Sequence, residues 1–381
     1  MPVLQPHDEL SAWIRLTLEP GLGPAQARNL LAAVGLPQTI FSMSVGQLLK
    51  LLPQTLAIQL AQPPTEALQA DINRTLEWLD HPRHYLLTLA DPAYPASLLE
   101  IHDPPLLLYV NGRPDILTGQ GMAIVGARNA TPGGLENAQG FALHLANQGW
   151  RIISGLASGI DTAAHQGALQ AGPDGGGTIA VLGTGIDIVY PARNRDLAHQ
   201  IAETGALITE FPLGRKAIPH QFPRRNRIVA GLARGVLVVE AALQSGSLIT
   251  ARQASEMGRE VFAIPGSIHS PLSKGCHALI RQGAKLVESG QDILEELQGN
   301  LPGLVLKQTA PTSKALKPRA AMAQAASADP ILLAMGHDPA DVDTLLQRTG
   351  LNITQLNSQL TALELKGCVA RLNDGRWQQL A

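Results

Sequence analysis

The chain reads as an α/β protein built on a mostly parallel sheet, and three features carry that reading. Seven short apolar segments, MAIVGAR, RIISGLASG, TIAVLGTG, GALITE, GVLVVEA, EVFAIPG and AKLVES, follow one another and end in Gly or a polar residue. Most are separated by Ala-rich stretches long enough for crossover helices. The segments are apolar throughout instead of alternating, the pattern of strands covered by helices on both faces. A Rossmann-like core is therefore expected over residues 86–300, with a helical domain at 1–85 and a winged-helix-like domain at 327–381.

In the first domain, SAWIRLTL, PAQARNLLAAV, VGQLLKLL and TEALQADINRTLEWL place apolar residues at helical spacing between Gly and Pro punctuation. Gly21-Leu22-Gly23-Pro24 joins two of these helices, Pro24 suiting the first helical position. The turn is either a packing turn or a helix-hairpin-helix that lays backbone amides on a DNA phosphate. The single basic group of the following helix, Arg28, favours packing. A Pro-rich passage, DPAYPASLLEIHDPPLLLYVNGRPDIL, then closes this domain onto the core.

Beyond the core, residues 301–326 form the expected linker; from 306 to 326 they carry four basic residues, no acidic residue and few large apolar ones. DPILLAMG, PADVDTLLQRTG and NITQLNSQLTALELKG then predict three helices. CVARLNDGRWQQL predicts a hairpin turning at Asn373-Asp374-Gly375.

Composition narrows the function. With 29 Lys+Arg against 31 Asp+Glu, any polyanion partner has to be met by a local patch. Cys276 and Cys368 fit neither a disulfide framework nor a structural zinc site, so a reducing cytoplasm is expected. The start, MPVLQPHDELSAW, lacks a secretory pattern, and the apolar runs are short, so no membrane insertion is expected.

In open parallel sheets, ligands sit outside the carboxyl ends of the strands. Gly126 and Arg128 follow one segment, Ser154, Gly155, Ser158 and Gly159 a second, and Gly183 and Gly185, with Arg193 beyond, a third. These turns suit phosphates or tight topology alike. None is a complete GxGxxG dinucleotide signature, and the Walker A spacing is absent. Asp161 and His165, four apart, share a helix face; a structural role is favoured over a catalytic pair. Ser245, Ser247 and Thr250 read as helix-start hydroxyls, and Glu210 and Glu240 as partners of backbone or arginine, so no metal is expected.

From Arg215 to Arg234 the chain holds six Lys/Arg and no acid. Arg224, Arg225 and Arg227, with Arg128 and Arg193 from other loops and Asn226 in the same run, are expected to form one groove. Guanidinium groups grip phosphate with two aligned hydrogen bonds. Phe222, and His220 beside it, offers a surface for an unstacked base; core packing is the other use of Phe222.

The passages IVGARNAT, ISGLASGIDTAAHQGAL, AVLGTGIDIVYPARN, ITEFPLG, FPRRNRIVAGLARGVLVVEAALQSGSLITARQA, REVFAIPG and LIRQGAKLV, over about 120–290, resemble the bacterial DNA-processing protein A family, DprA or Smf. The resemblance implies a cytoplasmic, non-enzymatic homodimer without a cofactor. It would bind and protect single-stranded DNA and load the RecA recombinase during natural transformation. Family binding residues carry over to Arg128 and to the arginines of FPRRNR. Where many relatives have a basic residue after the Pro of YPxxN, this chain has Ala192 and then Arg193. The C-terminal domain holds four Lys/Arg against six Asp/Glu, which favours protein contact or weak duplex assistance over sequence reading. Two alternatives stay open: a nucleotide- or phosphoribosyl-processing enzyme, and a winged-helix regulator that binds duplex DNA.

Overall fold

The computed structural model describes residues 7–299, 329–336, 339–372 and 374–380; the linker expected at 301–326 lies outside them. Six helices come first: α1 (His7–Leu18), α2 (Pro24–Val34), α3 (Pro37–Ser42), α4 (Val45–Leu48), α5 (Gln54–Leu60) and α6 (Glu66–Trp78). Pro24 and Pro37 open α2 and α3, and the Thr65 hydroxyl caps α6 by accepting from the Leu68 N–H. The helices bury Trp13, Ile14, Leu16, Leu30 and Ile72. This cluster is continuous with Leu107, Tyr109, Leu182 and Ile201 of the sheet region, so the helical unit and the core share apolar packing.

The sheet has nine strands. In chain order the elements are β1 (His84–Thr88), α7 (Ala96–Leu99), β2 (Leu107–Gly112), β3 (Gly121–Val125), α8 (Pro132–Asn147), β4 (Arg151–Ser154), α9 (Ile160–Gln170), β5 (Thr178–Val181), α10 (Arg195–Thr204) and β6 (Ala206–Thr209). They continue through α11 (Gln221–Leu232), β7 (Gly235–Val238), α12 (Ser247–Glu256), β8 (Glu260–Ala263), α13 (Lys274–Arg281), β9 (Lys285–Leu286) and α14 (Gly290–Gly299). The spatial order is β1-β2-β6-β5-β4-β3-β7-β8-β9. All pairs from β6 to β9 are parallel, whereas β1 and β2 are antiparallel additions at one end.

Strand side chains alternate between two helical layers. Met122 and Ile124 of β3 face α8, α9 and α14, while Ala123 and Val125 face the layer holding Ile228 and Val229 of α11. Both layers are apolar, which is why these strands show no polar alternation. Two strands go beyond the sequence reading, and one expected strand is shorter than its segment. The Pro-rich passage supplies β2, with the preceding HYLLT forming β1, because the antiparallel register Tyr109↔Thr209 pairs them onto the sheet. AKLVES yields only the exposed two-residue strand β9 at the opposite edge.

From residue 329 on, α15 (Pro330–Met335), α16 (Val342–Thr349) and α17 (Ile353–Leu365) precede the hairpin of β10 (Val369–Arg371) and β11 (Trp377–Gln379). Asp329, Asp341 and Asn352 cap the three helices through their side chains. Leu345, Leu356, Leu360 and Trp377 form a separate small core.

Candidate nucleic-acid interface

Strand order reverses at β3: the chain steps outward through β4, β5 and β6 on one side and through β7, β8 and β9 on the other. Adjacent loops part at such a switch point and leave a crevice. Here the crevice is a cleft of about 650 Å³, walled by Val125–Asn129 after β3 and Ala242–Thr250 after β7. Helix α11 contributes Phe222, Arg225 and Asn226, and Tyr190 closes one side.

Two aromatic rings and an exposed arginine meet in this cleft. Tyr190, half exposed, lies 5.6 Å from the Phe222 ring centroid. The Arg128 guanidinium carbon is 5.8 Å from the same centroid. Phe222 is half-buried because it fills the space a Cβ would need at Gly183, leaving part of its ring to the cleft. Sequence reasoning singled out Arg128 and Phe222 but missed Tyr190, although it stands in the YPARN passage read for Arg193.

Beneath them, Arg225 is 5% exposed. Its Nη1 donates to the Gly155 and Val181 carbonyls, and its Nε donates to Asn226 Oδ1 at 3.1 Å. Gly155 must be glycine, since a Cβ there would overlap this guanidinium. Burial lowers Arg225 to about 10, and Asp161 pulls it back up. Burial raises the Asp161 carboxyl, while Arg225 and the N–H groups of Gly155 and Ala157 oppose the rise. Arg225 is thus a fixed positive charge under the cleft, held by strand-end carbonyls.

A second groove of about 470 Å³ continues from Arg128 and Asn129 past Ser158, Gly159 and Thr162 to Arg193. Arg193 is exposed and donates from Nε to Ser158 Oγ at 3.0 Å. Gly159 opens α9 at φ 76°, where a Cβ would also strike the Ala127 and Arg128 carbonyls. Arg128 lines both spaces and joins them.

The five arginines do not form one groove. Arg225 turns to the cleft, but Arg224 and Arg227 lie on the other side of α11, where both bind Glu210 Oε2, at 2.9 and 2.5 Å. Arg224 is exposed and stands 5.5 Å from the Phe211 centroid. Arg227 is buried and also meets Asp103, which pairs with Arg28 of the helical unit. The helix period explains the split: residues 224 and 227 share a face that 225 does not.

Ser154 and Gly155 are corrected as well. Ser154 is fully buried and donates its hydroxyl hydrogen to the Ile124 carbonyl at 2.7 Å, while the Gly155 N–H is spent on Asp161. Gly183 is buried and its carbonyl accepts from Gln221. Gly126 lines the cleft, where a Cβ would crowd Ile160 and the Glu240 carbonyl. Ser154, Gly155 and Gly183 therefore support the cleft from behind, and Gly126 forms part of its wall.

Asp161 and His165 do not bond to each other. His165 is fully buried, its Nδ1 2.7 Å from Thr178 Oγ1, and burial pushes its imidazole down to about 3. Glu240 accepts from the Thr131 N–H and hydroxyl at the start of α8, at 2.9 and 2.6 Å. Both glutamates therefore bind local groups.

A parallel sheet with a basic, aromatic-lined cleft at its switch point, followed by three helices and a hairpin, defines a Rossmann-like protein with an appended winged helix. The chain belongs to the DNA recombination-mediator protein A family: that family's model matches residues 85–298, and the DprA winged helix domain model matches 315–375. Protein Smf of Escherichia coli is 44% identical over 306 residues, 80% of each chain. DNA processing protein DprA of Streptococcus pneumoniae is 49% identical over 211 residues, 55% of this chain and 73% of that protein. The X-ray structure of the Streptococcus pneumoniae DprA superposes with a TM-score of 0.66 at 38% identity, covering 75% of this chain and 97% of that one. DNA processing protein A from Helicobacter pylori, described for its single-stranded DNA binding mode, superposes with a TM-score of 0.52 at 29% identity, covering 57% and 97%. Among the described residues no helix is long and apolar enough to cross a membrane.

Proposed function

We propose that this chain is a single-stranded DNA-binding mediator that acts as a homodimer and passes its strand to the RecA recombinase in transformation and recombination. The observation that carries the DNA-binding reading is Arg128, which stands beside the Phe222 ring and joins the aromatic cleft to the Arg193 groove. A single strand can splay a base onto Phe222 and Tyr190 while its phosphates follow Arg128 and Arg193; a closed duplex offers no free base face. The positive charge of Arg225 beneath the cleft favours the same polyanion without touching it. Binding of this kind needs neither a cofactor nor turnover.

The alternatives fit the geometry less well. A hydrolase acting through Glu210 or Glu240 would use carboxylates already engaged by Arg224, Arg227 and Thr131. A duplex-reading regulator would use α17, yet Ile353–Leu365 holds no Lys or Arg. The test is competition binding with single-stranded DNA, duplex DNA and mononucleotides, followed by displacement of a single-strand-binding competitor with and without the recombinase. Preference for the single strand and faster recombinase loading are expected. Equal affinity for mononucleotides, or product formed from them, overturns the reading.

A further inference from the structure

The loop between β6 and α11 carries two cations that the site described so far does not use. Residues 211–220, FPLGRKAIPH, leave the sheet at the buried Phe211 and return to the cleft edge, which Pro219 lines. Arg215 and Lys216 at its outer bend are exposed. Neither forms an ion pair among the described residues, although Arg224, Arg227, Arg28 and Arg259 all do.

This loop is clamped. Gln221, 1% exposed, donates from Nε2 to the Gly183 carbonyl at 2.8 Å and to the Lys216 carbonyl at 2.9 Å. Its Oε1 accepts from Arg215 Nε at 2.6 Å, leaving the Nη atoms of that guanidinium unpartnered among the described residues. From the other side, the Gly185 N–H donates to the Arg215 carbonyl at 2.8 Å, and the Gly214 N–H donates to the Asp187 carboxylate at 2.9 Å. The Asp187 carboxylate accepts that N–H and forms no ion pair with either cation among the described residues. The next cation, Arg74 of α6, is already paired with Asp71 at 2.9 Å.

A buried glutamine that orients the Arg215 guanidinium and fixes the backbone of Lys216, on a loop that returns to the cleft edge, preorganises two unpaired cations for phosphate. We propose that Arg215 and Lys216 form a second phosphate-binding arm of the single-strand path. They would hold the backbone beyond the cleft edge that Pro219 lines, adding a grip to those of Arg128 and Arg193. This proposal rests on the single-strand reading given above.

The experiment is equilibrium binding of the full chain to labelled oligothymidylates of about 4 and about 16 nucleotides, over a range of salt. Two variants are compared with the wild type: the double variant Arg215→Ala/Lys216→Ala and the single variant Arg128→Ala. Each single-strand phosphate contact contributes about 0.7 to the salt slope. The double variant is expected to lower the slope on the longer strand by about 1.4, with several-fold weaker binding at low salt. Its effect on the short strand is expected to be smaller, whereas Arg128→Ala weakens both. A double variant with the wild-type slope on the longer strand, while Arg128→Ala loses affinity, overturns the arm and leaves the single-strand reading standing. Unchanged binding by Arg128→Ala as well removes the reading on which the arm rests.

Discussion

Helix α11 has two faces made from one run of arginines, and they do opposite things. On the cleft face, Arg225 is held by carbonyls and the Phe222 ring remains partly open; on the far face, Arg224 and Arg227 are tied to Glu210, with Asp103 and Arg28 extending the network. The first face leaves Phe222, with exposed Arg128 beside it, open to a ligand, and the second spends its charge joining the core to the helical unit. A cluster of like charges in sequence is therefore not a patch until the fold shows which partners have neutralised it.

The comparison breaks most visibly at the buried charges. Arg225→Ala would leave Asp161 without its cation and two strand-end carbonyls without their donor, and a loss of about 3–5 kcal/mol is expected in urea unfolding. Glu210→Ala, on the other face, should cost less, about 1–3 kcal/mol, because buried Arg227 loses one of its two carboxylates and keeps Asp103. The variant's affinity for single strands, measured on the folded fraction, should stay near wild type. If Glu210→Ala instead reduces DNA affinity as strongly as Arg128→Ala, the two faces are not separate.

His165, buried in α9 against Thr178 of β5, gives the core a pH dependence. Its folded pKa, about 3, lies below the ordinary histidine value of 6.5. The unfolded chain therefore binds the proton more readily, and stability falls as pH drops from 6.5 towards 3. Between pH 6.5 and 5 this single group contributes a loss of about 2 kcal/mol, which denaturation of a His165→Leu variant should lack. An equal acid slope in both proteins would show that another group controls it.

Smaller effects separate ligand contact from support. Phe222→Ala should weaken single-strand binding by about 1–3 kcal/mol and leave duplex binding nearly unchanged. Arg128→Ala, being exposed, should alter stability by no more than about 0.5 kcal/mol while lowering the salt slope by about 0.7. A stability loss well beyond that would place Arg128 among the structural arginines.

Most of the sheet was legible because parallel strands buried on both faces must be apolar throughout, as in TIAV and GVLV. Strands β1 and β2 were not, since LLLYVNG lies among prolines and becomes a strand only through its pairing with β6. In the candidate site, Arg128 was expected from its place after a strand and Phe222 from the basic run around it, and the two line one cleft. The roles of Arg224, Arg227 and Ser154 were not, because their partners Glu210, Asp103 and the Ile124 carbonyl are distant in sequence. Tyr190 was overlooked for a related reason: its closeness to Phe222 is a tertiary fact.

The central claim is that the cleft at the β3–β7 switch point grips an unpaired strand through Arg128 and Phe222. Anisotropy titration of the full chain and of an Arg128→Ala/Phe222→Ala variant with labelled single strands, against unlabelled duplex, addresses it directly. The account predicts tight, salt-sensitive binding that duplex competes for poorly and that the folded double variant largely loses. A folded double variant that binds as the wild type does would contradict it.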